Sequence, residues 1–255
     1  MRFASPLQRG RLVQRYKRFL ADIVLEDGRA ITATCPNTGS MLGLTGSGSA
    51  VWVSRSDRAT RKYPHTWEMV EHDLGKGPQL VGINTGHPNR LVEEAIAAGR
   101  IGELASYPGI RREVRYGVNS RIDLLLTGED GRLCYVEIKN VHLSRTAGLA
   151  EFPDCVTERG IKHLRELGDM VEQGHRAVML YLIQRGDVLR MQLAGDLDPG
   201  YAAAFDVARR RGVEALAYAC DLTPEGIEVS RAVPLCHRHQ ASGTRPRRKS
   251  LLPGA

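Results

Sequence analysis

Residues 120–141, SRIDLLLTGEDGRLCYVEIKNV, decide the fold. Glu129-Asp130-Gly131 suits a three-residue hairpin loop, a type I turn closed by a glycine in the left-handed region. That loop pairs Gly128 with Arg132, and counting outward sets Asp123 opposite Glu137 and Arg121 opposite Lys139. Period-two alternation then puts Ile122, Leu124, Leu126, Cys134, Val136 and Ile138 on one apolar face, and Arg121, Asp123, Glu137 and Lys139 on the other. Two carboxylates directly across a strand pair repel, and under a covered sheet they also lose hydration. A hard divalent cation offsets both costs. Mg²⁺ takes one or two protein carboxylates and completes its shell with waters and substrate phosphate oxygens. Lys139, two residues beyond Glu137 and on its face, sits where it can orient a water or neutralise phosphate charge. Glu137-x-Lys139 is the chain's one carboxylate-x-lysine. The competing reading is a structural ion network among Arg121, Asp123, Glu137 and Lys139.

The strand before the hairpin, IRREVRYG, offers Glu113 as a third carboxylate if it pairs alongside. His65, His72, His87 and His163 lack metal-ligand spacing and are read as surface or core residues.

Around the hairpin the periodicities alternate. HPNRLVEEAIAAGRIGELASY carries Leu91, Val92, Ala95 and Ile96 at helical spacing, broken by Gly99. FPDCVTERGIKHLRELGDMVEQG reads as an amphipathic helix capped by Asp154 or Thr157 and stopped at Gly174. RAVMLYLIQ is a strand buried on both faces. DPGYAAAFDVARRRG is helical, and VEALAYACDLT is again a strand, a mixed α/β plan. The first third instead has short strands between Gly-rich turns, GRLVQRY, FLADIVLED, RAITATC and AVWVSRS, as in a small barrel, with the OB-fold one candidate. Its cations Arg15, Lys17, Arg18, Arg61 and Lys62 are interleaved with aromatics such as Tyr16, the combination a nucleic-acid groove needs; an ordinary solvated face is the alternative.

The chain has 255 residues, 42% hydrophobic and 25% charged, enough for one large domain or two modest ones. Its net charge of +7 favours a polyanionic partner. Five scattered cysteines without a C-x-x-C pair suggest buried or incidental thiols rather than a disulfide framework or a zinc site. No apolar run is long enough to span a bilayer or to form a secretory signal, so the expectation is a cytoplasmic protein with no membrane partner. Nothing sets the oligomeric state, and a dimer is compatible with it.

The motifs CPNTGSM, RKYPHTWEMV, VGINTGHPN, YGVNSRIDLLL, CYVEIKNV and FPDCVTERGIKHLREL together resemble the sugar fermentation stimulation protein A family over nearly the whole chain. The resemblance implies an OB-fold-like domain at 1–85 and a PD-(D/E)xK nuclease-like α/β domain at 86–236; residues 237–255 read as a basic flexible tail. It lays the nuclease pattern on Asp123, Glu137, Lys139 and, as an extra carboxylate, Glu113. The function it implies is a DNA- or RNA-binding nuclease dependent on Mg²⁺ or Mn²⁺, with Asp123, Glu137 and the Ile138 carbonyl as metal ligands. The alternative is a noncatalytic DNA-binding regulator of sugar (maltose) metabolism. CPNTG and INTGHPN either line a groove between the domains or serve as structural caps.

Overall fold

In the computed structural model, which describes residues 1–117 and 119–236, the first eighty residues close into a barrel. The strands are β1 (Gln8–Tyr16), β2 (Leu20–Leu25), β3 (Ala30–Thr34), β4 (Ala50–Arg55), β5 (His65–His72) and β6 (Gln79–Gly82). They run in the order β3-β2-β1-β4-β5-β6, and a parallel pairing of Ala33 with His65 and Thr34 with Thr66 joins β3 to β5 and closes the ring. Alternation along the strands supplies the filling: Leu12, Ile23, Ala33, Val51, Val53, Trp67, Val70 and Val81 point inward. This is the OB-like closed barrel.

The remainder is built on a six-stranded mixed sheet. Its elements are α1 (Pro88–Ala97), β7 (Gly109–Tyr116), β8 (Ser120–Thr127), β9 (Leu133–Val141), β10 (Leu143–Thr146), β11 (Leu149–Phe152), α2 (Glu158–Glu172), β12 (Arg176–Ile183), β13 (Arg190–Leu193), α3 (Pro199–Arg210), β14 (Glu214–Thr223), β15 (Gly226–Ala232) and β16 (Leu235–Cys236). The main sheet has the order β15-β14-β12-β9-β8-β7, and β10, β11, β13 and β16 form a second, smaller sheet. Strand β12 is parallel to both neighbours and apolar on both faces. Met179, Tyr181 and Ile183 pack into the core under α2 and α3, while Val178, Leu180 and Leu182 pack into the core under α1. A strand covered twice cannot alternate polar and apolar residues, which is why RAVMLYLI reads as one continuous run.

Helix boundaries follow local chemistry. Thr157 caps α2 by accepting from the Gly160 N–H at 3.1 Å, and Gly174, at φ 87°, ends the segment. Pro88 opens α1, where a missing N–H costs nothing. All five cysteines are free thiols. Among the described residues no helix is long and apolar enough to cross a membrane. The tail from 237 lies outside the described residues.

Candidate metal and active site

The hairpin pairs as counted over part of its length. Gly128 donates to the Arg132 carbonyl at 2.8 Å, and Thr127, Leu126, Leu125 and Leu124 face Leu133, Cys134, Tyr135 and Val136. The ladder then stops, one pair short of Asp123 and Glu137. In its place the Asp123 side chain enters the gap, its Oδ2 accepting from the Ile138 backbone N–H at 2.7 Å. Asp123 therefore does not sit in a regular pair opposite Glu137, and Arg121 is not in register with Lys139. Ile122 departs from the expected apolar face as well and packs into the core beneath α2, with Leu125. The same irregularity crosses to β7: Arg112 pairs with Leu124 and Val114 with Ile122, but Glu113 between them has φ 52°, a left-handed backbone rare for a side chain of its kind. Three neighbouring strands thus break their ladders at the three carboxylate positions.

Glu137 is the centre of the arrangement and is 2% exposed. Its Oε1 accepts from Lys139 Nζ at 2.8 Å and makes a short contact with His163 Nδ1. Arg159 Nε donates to His163 Nε2 at 3.3 Å, so Nε2 is the acceptor and Nδ1 carries the proton toward Glu137. Lys139 Nζ and His163 Nδ1, 3.2 Å apart, are two donors converging on one oxygen. The other oxygen, Oε2, is buried with no hydrogen-bond partner among the described residues. An orphaned, inward carboxylate oxygen is costly unless something positive completes it.

The electrostatics agree with that geometry. Burial alone would raise the Glu137 pKa, but the His163 hydrogen bond and the Lys139 charge outweigh it and hold the group below its ordinary range. Among the described residues Asp123 has no such cation in hydrogen-bond contact. Burial and the neighbouring Glu137 charge push it up to about 6, against the Ile138 N–H and Asn89 that favour its ionised form. Asn89, the second residue of α1, bridges the acids, its Nδ2 lying 3.1 Å from Asp123 Oδ1 and 3.2 Å from Glu113 Oε1. These residues line a cavity of about 490 Å³ that also includes Thr85, Gly86, Ile138, Asn140 and Arg159.

One motif loop holds the wall. Glu68 on β5 accepts from Ser54 Oγ (2.6 Å), Asn84 Nδ2 (2.7 Å) and His87 Nε2 (2.8 Å), which anchors the turn carrying Pro88 and Asn89. Buried Gln184 donates to the Asn84 carbonyl at 3.1 Å and to Asn140 Oδ1 at 2.6 Å, tying that turn to the end of β9. INTGHPN thus lines the cavity. CPNTG does not; it is a joint between the barrel and the α/β sheet. Asp154 accepts from Ser40 Oγ (3.0 Å) and the Met41 N–H (2.9 Å) and faces His142 Nε2 at 3.3 Å. A Cβ on Gly39 would lie 2.9 Å from Asp154 Oδ2, so a larger residue would have to displace the carboxylate that holds Ser40 and Met41.

The barrel cations divide. Arg15 is committed to the joint: its Nη2 donates to the carbonyls of Arg18 (2.9 Å), Asn37 (2.8 Å) and Gly39 (2.9 Å). Tyr16 donates to Asp22 at 3.2 Å. Lys17 and Arg18 are exposed in the β1–β2 turn, next to a half-exposed Phe19. Arg61 reaches Thr66 Oγ1 at 3.2 Å, and Lys62 lies over the Tyr63 ring at 5.5 Å. None of the six lines the acid cavity.

His163, Arg159 and Asn89 are the participants the sequence reading left without a role. A signal existed for His163. It occupies the same helical stripe as Gly160, Leu164, Leu167 and Met170, the buried face of α2, so it had to be a partnered core histidine rather than a surface one.

A closed OB-like barrel followed by a mixed α/β sheet, with an acid-x-lysine strand at the sheet's split, defines the class. The comparisons then give the family. The model for the sugar fermentation stimulation protein RE domain matches residues 86–226, and that for the family's N-terminal OB domain matches residues 13–83. The chain is 57% identical over 235 residues to a sugar fermentation stimulation protein homolog of Azorhizobium caulinodans, covering 92% of this chain and 99% of the relative. It is 61% identical over 224 residues to the homolog of Rhizobium meliloti, covering 88% of this chain and 92% of that one. Among solved structures, Pyrococcus furiosus SfsA in complex with Ca²⁺ superposes with a TM-score of 0.82 at 26% identity, over 93% of this chain and 98% of that one. The chain belongs to the sugar fermentation stimulation protein family.

Proposed function

We propose that the protein is a divalent-metal-dependent nuclease that hydrolyses phosphodiester bonds in DNA or RNA at the Asp123–Glu137–Lys139 site. The observation that carries this reading is the buried, unpartnered Oε2 of Glu137 beside an Asp123 whose ionisation is opposed by Glu137 itself. Both features are liabilities in a purely structural ion network and are relieved by a cation. The donor set fits Mg²⁺ or Mn²⁺: two carboxylates and the Ile138 carbonyl, with room for waters and phosphate oxygens. The relative from Pyrococcus furiosus is described as a complex with Ca²⁺, and that favours the same reading.

Bound there, the ion would polarise the phosphoryl group and lower the pKa of a water. The chain's own residues do the remainder. His163 and Lys139 hold Glu137 ionised through its Oε1 and leave Oε2 free to accept a cation. Asn89 and the Ile138 N–H fix the Asp123 carboxylate. Lys139 presents an ammonium to the attacking water or the phosphate, and Glu113, which shares Asn89 with Asp123, would orient that water. Lys17, Arg18, Arg61 and Lys62 on the barrel supply nonspecific attraction for the polyanion, and Arg15 and Tyr16 keep their loops in shape for it.

The test is incubation with single- and double-stranded DNA and RNA in Mg²⁺, Mn²⁺ or EDTA, beside Lys139→Ala and Asp123→Ala. Metal-dependent cleavage abolished by both substitutions is the expected result. Binding without cleavage in any metal would favour a noncatalytic regulator, and cleavage surviving both substitutions would mark a contaminant.

A further inference from the structure

Beyond the acids, a second polar cavity, of about 480 Å³, is lined by Arg115, Tyr116, Gly117, Asn119, Ser120 and Arg121 at the adjoining ends of β7 and β8. Arg115 and Arg121 are directly opposite each other in the ladder. Both side chains are exposed, and among the described residues neither guanidinium has a carboxylate or a carbonyl partner. Like charges facing across a strand pair are destabilising, and directly opposite Cβ atoms lie only about 5 Å apart. Arg112, Arg145, Arg176 and Arg211 are each held by a carboxylate, whereas these two arginines face one another across the ladder. An unneutralised pair lining a cavity is therefore a place for an anion.

Its position says which anion. Val114, Tyr116 and Ile122 pack into the core under α2, so Arg115 and Arg121 project from the opposite face, the face that carries α1 and Asn89. Along the strands the pair is two residues from Glu113 and Asp123. Two residues of strand advance about 6.6 Å. That step is on the scale of the separation between consecutive phosphates on one nucleic-acid strand. Two guanidinium forks from opposing strands also match the several oxygens of one phosphate.

We infer that Arg115 and Arg121, on the α1 side with Asn89, form a phosphate subsite that grips the backbone phosphate neighbouring the one held at Asp123, while Glu137 and Lys139 approach that centre from the α2 side. The inference rests on the nuclease reading for the identity of the polymer, but it concerns binding rather than turnover. The subsite fixes the strand's register against the acids, whereas the barrel cations attract the polymer without placing it.

The experiment measures fluorescence anisotropy of short labelled DNA and RNA oligonucleotides, in EDTA and in Mg²⁺, over a range of KCl concentrations. The proteins are wild type, Arg121→Gln, Arg115→Gln/Arg121→Gln and Arg115→Lys/Arg121→Lys, with cleavage followed in parallel. The double glutamine variant is expected to bind about tenfold more weakly, with the slope of log K against log salt reduced in magnitude by about 0.7–0.9, the loss of one phosphate contact. The lysine variant should recover the slope but not the full affinity. Thermal melting should be unchanged or slightly raised in the glutamine variants, since they relieve a repulsion, and this separates lost binding from lost folding. Wild-type cleavage with an unaltered slope and affinity in the double variant would overturn the subsite and leave the nuclease reading standing. Arginine-dependent binding without any cleavage would do the reverse. No binding by the wild type would overturn both.

Discussion

Replacing Asp123 by asparagine should make the stability of the metal-free protein less sensitive to pH. The carboxyl titrates near 6 in the fold against 3.8 ordinarily, because burial and Glu137 oppose its charge. The folded chain therefore binds this proton more tightly than the unfolded chain, so the group favours folding at acid pH and that contribution fades as pH rises through about 6. With those two values, linkage gives a loss of about 1.3 kcal/mol between pH 5 and pH 7 in wild type. The amide of the Asp123→Asn variant cannot titrate, so the variant loses nothing over that interval. Its single side-chain oxygen can accept from only one of the two donors that Asp123 satisfies, the Ile138 N–H and Asn89, at a cost of about 1 kcal/mol. The absolute difference between the two proteins is thus small, and its change with pH is the readout. Urea unfolding in EDTA at pH 5 and pH 7 measures it; groups remote from Asp123 cancel in the comparison, and Glu137, relieved of its neighbour's charge, stays ionised throughout the interval. Adding Mn²⁺ at pH 7 should then stabilise wild type, by about 2.7 kcal/mol at a hundredfold excess over the dissociation constant, and leave the variant nearly unmoved. A difference that stays constant between pH 5 and pH 7 would refute the claim that Asp123 is held ionised against its environment.

Further outcomes follow from other contacts. Lys139→Ala should reduce cleavage by about a hundredfold or more while leaving binding of nucleic acid in place, as gel-shift and nuclease assays can separate. His163→Ala removes a donor that keeps the Glu137 pKa low, so the acid limb of the pH–rate profile should move to higher pH; an unmoved limb would make the histidine mere packing. Arg15→Ala should cost about 1–2 kcal/mol in urea unfolding by releasing the Asn37 and Gly39 carbonyls, yet leave the salt slope of nucleic-acid binding unchanged. Gly82→Ala places a Cβ 2.6 Å from the side-chain oxygen of the fully buried Gln184, and should destabilise by roughly 1–3 kcal/mol in the same assay.

Much of this architecture was legible in the sequence because its signals are local. The loop Glu129-Asp130-Gly131 fixed the hairpin register, and RAVMLYLI announced a strand covered on both sides. The closing pairing between β3 and β5 could be anticipated only as part of a barrel pattern, since a two-residue contact leaves no mark on either strand. Around the acids, alternation failed where side chains replaced the backbone ladder. Asp123 took the Ile138 N–H that a regular pair would have used, and Ile122 changed faces with it. Arg15 looked like a phosphate ligand because a sequence shows charge but not the carbonyls that consume it. His163 and Asn89 come to the site from two different helices, and only the tertiary structure brings them within reach of Glu137 and Asp123.

The central claim is that a divalent cation belongs between Asp123 and Glu137. Crystals soaked in Mn²⁺ and measured at the manganese absorption edge test it most directly. An anomalous peak in contact with the Asp123 carboxylate and Glu137 Oε2, absent from Asp123→Asn crystals, is the predicted result; a wild-type map with no peak there, and with Lys139 and His163 still closed on Glu137, would contradict it.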